Sequence, residues 1–428
     1  MIAKLRSDKI LRAALETFFS LIEAEVQPKE TAGEHIIFEP GGRFVRGVWF
    51  IESEATKRAG SDVINRLTHI MGPVFSDEEE NYALIWKLAA ERSKSSITMS
   101  VNDVIGKVFD ELLKNVVEPR TFINQNCAVA FRDSINDLRI GPVRAVKRTI
   151  LETELSAKKK ESEYLSIIYT PLYNDGRTSD ERIKPELLWE ISIIASIKNI
   201  REQAVWMIDV ALGLIRIAEI QQPHYHPYLS SFPEANPFWN RSHNAYGVLL
   251  EEGCRHFLSD NVNTIWIDAG IHATLMTDPC MKYMAIFNAK KGSVGARIAQ
   301  GLGWMTRGRQ ASDRSQRLLY FFTAMESLLT SGDKAAPVIQ TIARHASVIL
   351  AKTPETRIEI ANKIKKLYGA RSSLVHAGER SVTRHDADLI QSIVESTYLS
   401  VMSKLDPMMN FDELNTALAT ASYGGPWP

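Results

Sequence analysis

A guanidinium and an imidazole stand five residues apart, at Arg371 and His376, in the segment LYGARSSLVHAG. An imidazole moves protons near neutral pH, and a fixed guanidinium neutralises charge developing on a phosphoryl group. Together they suit cleavage of a phosphodiester without a metal. Spacing alone is a weak signal, because Arg380 and His385 repeat it in ERSVTRHDAD. That second match lies beyond the helix-stopping Gly378 with no apolar stripe, and it reads as loop and helix cap. Position distinguishes the first. In a helix over this segment Ile360, Ile364, Leu367, Arg371 and Leu374 follow at intervals of 4, 3, 4 and 3, which puts Arg371 on the apolar seam. Upstream, Leu319, Phe322, Glu326 and Leu329 follow at 3, 4 and 3, so Glu326 also points inward. A lone buried charge is costly, whereas facing opposite charges satisfy each other. The pattern predicts an Arg371–Glu326 pair inside or at the mouth of a helical bundle. An architectural ion pair is the better explanation of those two residues alone. His376, at the helix end just before Ala377-Gly378, turns the reading towards chemistry.

The elements that must hold these residues are legible from Gly292 onward. Val294–Met305 is a short helix. Ser312 or Asp313 caps a second that reaches Thr330, with Leu318, Phe321, Phe322, Met325, Leu328 and Leu329 as its apolar residues. Pro337 opens a third, carrying Ile339, Ile342, Ala343, Ala346 and Ile349 on one face. Thr353-Pro354 is an N-cap followed by an N1 proline, and a fifth helix runs from about Thr383 to Leu405. Short connections between helices of this length predict an antiparallel bundle. Residues 411–428, ending ASYGGPWP, read as a tail, frayed at its end.

The preceding region reads as α+β. It begins with a helix from Ile2 to Val26 and a hairpin around Pro40-Gly41-Gly42. Helices follow at Ser61–Met71, Glu78–Arg92 and Val101–Val117. Lys158-Lys159-Lys160 and the turn signal Asn174-Asp175-Gly176 mark a boundary or long loop over 156–185. A strand at Leu187–Ile197, a helix at Ile200–Ile220, a loop rich in Pro, His and Asn over 221–244, and strand-like pieces at Thr264–Ile267 and Met284–Ile286 complete it. The expected fold class is therefore mainly α: an α+β region over 1–285, then a C-terminal antiparallel helical bundle over 286–410.

Composition narrows the function classes. Hydrophobic residues make up 45% and charged residues 24%, the balance of a folded chain. Lys plus Arg equals Asp plus Glu at 51 each, which excludes a wholesale polycation. Between Gly292 and Leu405, however, 16 basic residues face 9 acidic ones, and the remainder carries the opposite excess. The C-terminal part is thus suited to an anion such as RNA, or the two parts to each other. Cys127, Cys254 and Cys280 form no disulfide framework, and no apolar run is long enough for a membrane span or a signal core. The expected location is cytoplasmic. His224, His226, His243, Cys254 and His256 match no standard zinc spacing. Gly292-Ser293-Val294-Gly295 reads as a plain helix start rather than a phosphate loop, and Tyr320-Phe321-Phe322 as core rather than a base-stacking platform.

LYGARSSLVHAG, preceded by YFFTAMESLLTSG and IARHASVILA, resembles the HEPN domain (higher eukaryotes and prokaryotes nucleotide-binding), in particular its Apea-like branch, over about residues 286–405. The resemblance implies a helical bundle that dimerises so that two Arg-His motifs face each other. It implies metal-independent, cofactor-free endoribonuclease activity in which the ribose 2′-OH attacks and a 2′,3′-cyclic phosphate is left. The family's motif falls on Arg371 and His376, its polar position on Ser372, where Asn, Asp or His is more usual, and its acidic residue on Glu326. Ala377 stands where Gly often follows the histidine. The setting implied is antiphage defence, abortive infection or growth arrest. Residues 1–285 would sense a phage or nucleotide trigger or restrain the nuclease. The rival expectations are a catalytically inactive binding or dimerisation scaffold, and a toxin held by a separate antitoxin.

Overall fold

The computed structural model describes residues 2–25, 42–45, 48–51, 53–94, 99–117, 119–132, 134–157, 186–223, 233–236, 246–250, 253–257, 262–330 and 337–427. Two compact units form, one of residues 1–122 with 192–204 and one of 123–191 with 205–428. The units do not part at residue 285; the helices after 286 share theirs with 123–191 and 205–285. The architecture is mainly α with an α+β region.

The first unit holds α1 (Ile2–Ser7), α2 (Lys9–Glu25), the strands β1 (Gly42–Val45) and β2 (Val48–Ile51), α3 (Glu54–Met71), α4 (Glu78–Lys94) and α5 (Val101–Val117). The expected single first helix is two, divided at Asp8, whose carboxylate caps the second by accepting the Leu11 N–H at 2.8 Å. The hairpin is also displaced. Val45 pairs with Val48, and Gly42, expected in the turn, is instead the first residue of β1; Pro40 and Gly41 lie outside the described residues. Leu11, Leu15, Phe18, Phe19 and Ile22 recur at helical spacing and are buried with Val63, Leu67, Trp86, Val104 and Val108 in one core.

Next in the chain come the strands β3 (Arg120–Gln125), β4 (Val129–Phe131), β5 (Asp137–Ile140) and β6 (Val143–Lys147), then α6 (Arg148–Ala157), β7 (Leu187–Ile193) and α7 (Ile200–Ile220), of which all but the start of β3, the end of β7 and the start of α7 belong to the second unit. The sheet order is β3-β7-β6-β5, with β6 antiparallel to both β5 and β7. Further on come β8 (Tyr246–Leu250), β9 (Gly253–Phe257), β10 (Ile265–Ile267), α8 (Ala269–Leu275) and α9 (Asp278–Tyr283). β8 pairs with β9, and β10 runs parallel to β4. Met284–Ile286, expected as strand-like, lies instead in a 3-10 helix over Met284–Asn288, directly continuing α9. Lys158–Lys160, Asn174–Gly176, His224, His226 and His243 lie outside the described residues.

Six helices complete the unit: α10 (Val294–Gln310), α11 (Arg314–Leu329), α12 (Val338–Leu350), α13 (Pro354–Ala377), α14 (Arg384–Lys404) and α15 (Phe411–Ser422). Five of the six starts have a side-chain cap: Ser293, Asp313, Thr353, Thr383 and Asn410 all accept a first-turn N–H, and Pro354 follows Thr353; α12 starts after Pro337, at its N-cap position, without one. α10 packs on α11, α12 on α13, α14 on α11, and α15 on α12. Residues 411–422 are thus no tail; Phe411, Leu414, Leu418 and Ala421 are buried. Gly301 of α10 lies under Tyr398 of α14, where a Cβ would stand 1.4 Å from the tyrosine oxygen. That close approach lets the Tyr398 hydroxyl donate to the Ala324 carbonyl at 2.7 Å.

The helices after 286 are also joined to earlier parts of their unit. Leu302 covers Gly213 of α7, the Thr306 hydroxyl donates to the Asp209 carbonyl at 2.7 Å, and the Glu234 carboxylate meets Arg309. No helix among the described residues is long and apolar enough to cross a membrane.

Candidate active site

α11 and α13 carry the site. The stripe on α13 becomes shallower towards its C-terminus: Ile364 and Leu367 are buried, while Arg371 and Leu374 are half-buried. Arg371 accordingly emerges at the mouth of the bundle. Its Nη2 lies 3.4 Å from Glu326 Oε1, with each side chain about a quarter exposed. The predicted pair therefore forms, although among the described residues neither Glu326 Oε1 nor Arg371 Nε has a hydrogen-bond partner. Burial pushes the Glu326 carboxyl above its ordinary value, and the nearby Arg371 only partly offsets this. The pair is an electrostatic contact of moderate strength, not a locked fork.

Tyr368, which sequence reasoning missed, is the second holder of the guanidinium. It precedes Arg371 by three residues and so shares its face. Arg371 Nη1 donates to the Tyr368 hydroxyl at 3.3 Å, and the guanidinium carbon lies 5.0 Å from the ring centroid. Phe322, one turn before Glu326, meets the Tyr368 ring edge-on at 5.2 Å. One face of α11 thus presents Phe322 and Glu326, and one face of α13 presents Tyr368 and Arg371. The tyrosine's i–3 placement was a readable signal.

His376 is exposed on the last turn of α13, which Gly378 ends with a left-handed φ of 68° and an N–H returned to the Leu374 carbonyl. Five residues of helix turn a side chain by about 140° and advance it by about 7.5 Å. Arg371 and His376 therefore do not share a face within one chain. Ser372 is half-buried and about 100° round the helix from Arg371. Beyond the stop, Arg380 pairs with Asp313, the cap of α11. This second tie brackets His376 between two links to the same helix. His385 is exposed in the first turn of α14, where Thr383 and Asp386 form a capping box.

His345 is a further residue not picked out from the sequence. It is buried in α12, and its Nδ1 lies 3.0 Å from the Leu329 carbonyl, at the end of the helix that holds Glu326. Burial lowers its pKa; Nδ1 can only donate to a carbonyl, and Nε2 is buried without a partner among the described residues. Its spacing of three from Ile342 and four to Ile349 marked it on the apolar stripe.

The glycine segment before α10 holds no phosphate-binding cradle. The Val294 and Gly295 N–H groups are occupied by the Met409 and Pro407 carbonyls at 2.8 and 2.7 Å. Phe321 and Phe322 are buried as expected of core, and Tyr320 stacks on Trp304 with centroids 5.5 Å apart. No group of three or more His, Cys, Asp or Glu side chains placed for a metal occurs among the described residues. No protein-family profile matches the chain, and neither the curated proteins nor the solved structures contain a significant match.

Proposed function

We propose that this protein is an endoribonuclease of the HEPN kind, with Arg371 and His376 as its reacting groups. The observation that carries the reading is the half-buried guanidinium held by Glu326 and Tyr368, five residues before an exposed histidine at a glycine-terminated helix end. His376 takes the proton from a ribose 2′-OH, the 2′-oxygen attacks phosphorus, and Arg371 stabilises the phosphorane. The 5′-oxygen leaves as it gains a proton, and a 2′,3′-cyclic phosphate remains. One chain offers one histidine, turned away from its own arginine. A homodimer in which His376 of the partner subunit enters the cleft supplies both the acid and the missing proximity. Glu326 orients Arg371, and Ser372 contributes polarity beside it. No metal or cofactor is assigned a step.

RNA is the substrate class, in keeping with the basic excess of residues 292–405. Residues 1–285 act in sensing or restraint, and the setting is defence against phage or growth arrest in the cytoplasm. The test is cleavage of total RNA by the purified full chain in EDTA, beside His376→Ala and Arg371→Ala. Loss in both variants, with 2′,3′-cyclic ends in the wild-type products, is the expected result. Undiminished cleavage by His376→Ala overturns the site.

A second reading has its own observation. The angular separation of Arg371 and His376, with serine following the arginine, equally fits an inactive scaffold whose helices serve dimerisation. RNA binding with no cleavage in any oligomeric state would select it.

A further inference from the structure

Within the proposed phosphodiester site, and resting on that reading, the hydroxyl of Tyr368 has a chemical capacity that Arg371 leaves unspent. Among the described residues it makes one hydrogen bond, in which it accepts from Arg371 Nη1 at 3.3 Å. A phenol can accept and donate at once. Accepting from a cation polarises the O–H, so its own proton is the stronger donor for it. The oxygen is set by three contacts. The ring lies beneath the guanidinium at 5.0 Å, its edge meets Phe322 at 5.2 Å with planes at 86°, and the carboxylate one turn from Phe322 holds the other arm of Arg371 at 3.4 Å. The side chain is half-buried, so part of Tyr368 stays open to a ligand.

We propose that Tyr368 is a substrate-contacting residue: its hydroxyl and the Arg371 guanidinium form a two-donor anchor for the non-bridging oxygens of one phosphodiester. A dianionic phosphorane presents two such oxygens on one side. An arginine fixed on its outer edges by a carboxylate and a phenol reaches one of them, and the phenol reaches the other. The arrangement also explains why, among the described residues, a half-buried arginine carries only one loosely placed carboxylate. A second, tight carboxylate would neutralise the charge that the phosphate needs.

The test compares Tyr368→Phe and Tyr368→Ala with the wild-type full chain. Single-turnover cleavage of RNA is read beside binding of the 2′-deoxy oligonucleotide of the same sequence, which lacks the attacking hydroxyl. Tyr368→Phe keeps the ring, its packing on Phe322 and its place under the guanidinium, so its thermal midpoint should match the wild type. Its cleavage rate should fall about 10²-fold, as for loss of one transition-state donor, and its oligonucleotide binding several-fold. Tyr368→Ala should lose more, because Arg371 then loses its platform. Wild-type rates and binding in Tyr368→Phe would overturn the anchor while leaving the nuclease reading intact. A wild-type chain that binds but does not cleave, with binding weakened in Tyr368→Phe, would sink the nuclease reading and keep the anchor. Absence of both binding and cleavage would overturn both.

Discussion

Two arginines in the second unit sit among carboxylates and differ in almost every other respect. Arg309 lies between Glu234 and Glu395, Glu234 also receives Arg216, and Arg216 reaches Glu219. The side chains of Arg216, Glu234, Arg309 and Glu395 are each less than a tenth exposed. Burial alone would raise the Glu234 carboxyl, but Arg216 and Arg309 more than reverse this and hold it below its ordinary value. The cluster ties α7, the 233–236 segment, α10 and α14 together. Arg371, in contrast, has one carboxylate at 3.4 Å, no hydrogen bond to it, and an exposed histidine on the next turn but one. A buried arginine whose charge is matched on every side has nothing left to offer a ligand. A half-buried one with spare N–H groups beside a titratable group does. On the proposed reading, the degree of satisfaction, more than burial, separates architecture from chemistry.

The largest effect should come from breaking the satisfied cluster. Glu234→Ala removes the carboxylate that Arg216 and Arg309 share, leaves Glu219 and Glu395 to balance two buried guanidinium groups, and should cost about 3–5 kcal/mol, read as a lower denaturant midpoint with the slope unchanged. A cost under about 1 kcal/mol would mean that water reaches the cluster and that the contrast with Arg371 is false. The same contacts imply that a chain beginning at Met284 loses Glu234 and the α7 face that covers Leu302. It should be recovered as an aggregate, not as a folded bundle.

At the other pole, His376→Ala should leave the thermal midpoint within a degree or two, because the side chain is exposed. Cleavage should nevertheless fall by 10²-fold or more, roughly 3 kcal/mol of transition-state stabilisation. A variant that both melts early and loses activity would place the histidine among the structural groups.

Asp209 is the intermediate case. Its carboxylate is buried on α7, accepting from Arg307 Nε at 3.0 Å and Gln310 Nε2 at 3.4 Å, and burial raises its pKa to about 6 despite them. Because the folded value exceeds the unfolded one of 3.8, stability from this group is complete below about pH 4 and is lost as pH rises through 6. The loss should be on the order of 3 kcal/mol. Asp209→Asn should remove that slope and be the more stable protein at pH 8. If chemical denaturation gave the two proteins the same pH profile, partial satisfaction would carry no cost here.

Much of this contrast was legible in the sequence, and its limits are physical. The period of α13 placed Arg371 and Glu326 face to face, and Thr353-Pro354 and Gly378 fixed the helix ends, because caps and periodicity are local. How deep the pair sits was not legible, since that depends on where neighbouring helices diverge. Glu395 offered a comparable signal, with Gln391, Glu395, Tyr398 and Met402 at intervals of 4, 3 and 4, but its partner Arg309 lies 86 residues earlier and Arg309's other partner, Glu234, 75 residues before that. No local pattern points to contacts across such separations. Met284–Ile286 failed for the opposite reason. A short apolar run fits strand and helix alike, and packing decided it.

The smallest effect belongs to Glu326 and is the finest test of the comparison. A well-buried pair would make Glu326→Ala cost on the order of 3 kcal/mol, as the sequence pattern alone implied. The observed pair is a quarter exposed, 3.4 Å apart and without a hydrogen bond. Burial raises the carboxyl, so the ion is itself mildly unfavourable near neutrality. Its folded pKa lies above the unfolded value, and this contribution to stability is present at acid pH and lost as pH rises through the folded pKa. Glu326→Gln, which removes the charge and keeps the shape, should therefore change stability by about 1 kcal/mol or less at pH 7. Cleavage should fall about tenfold through loss of orientation at Arg371. A glutamine variant that lost about 3 kcal/mol would mean the pair is dry and locked like the Arg309 cluster. Arg371 would then belong to the architecture, and the scaffold reading would gain.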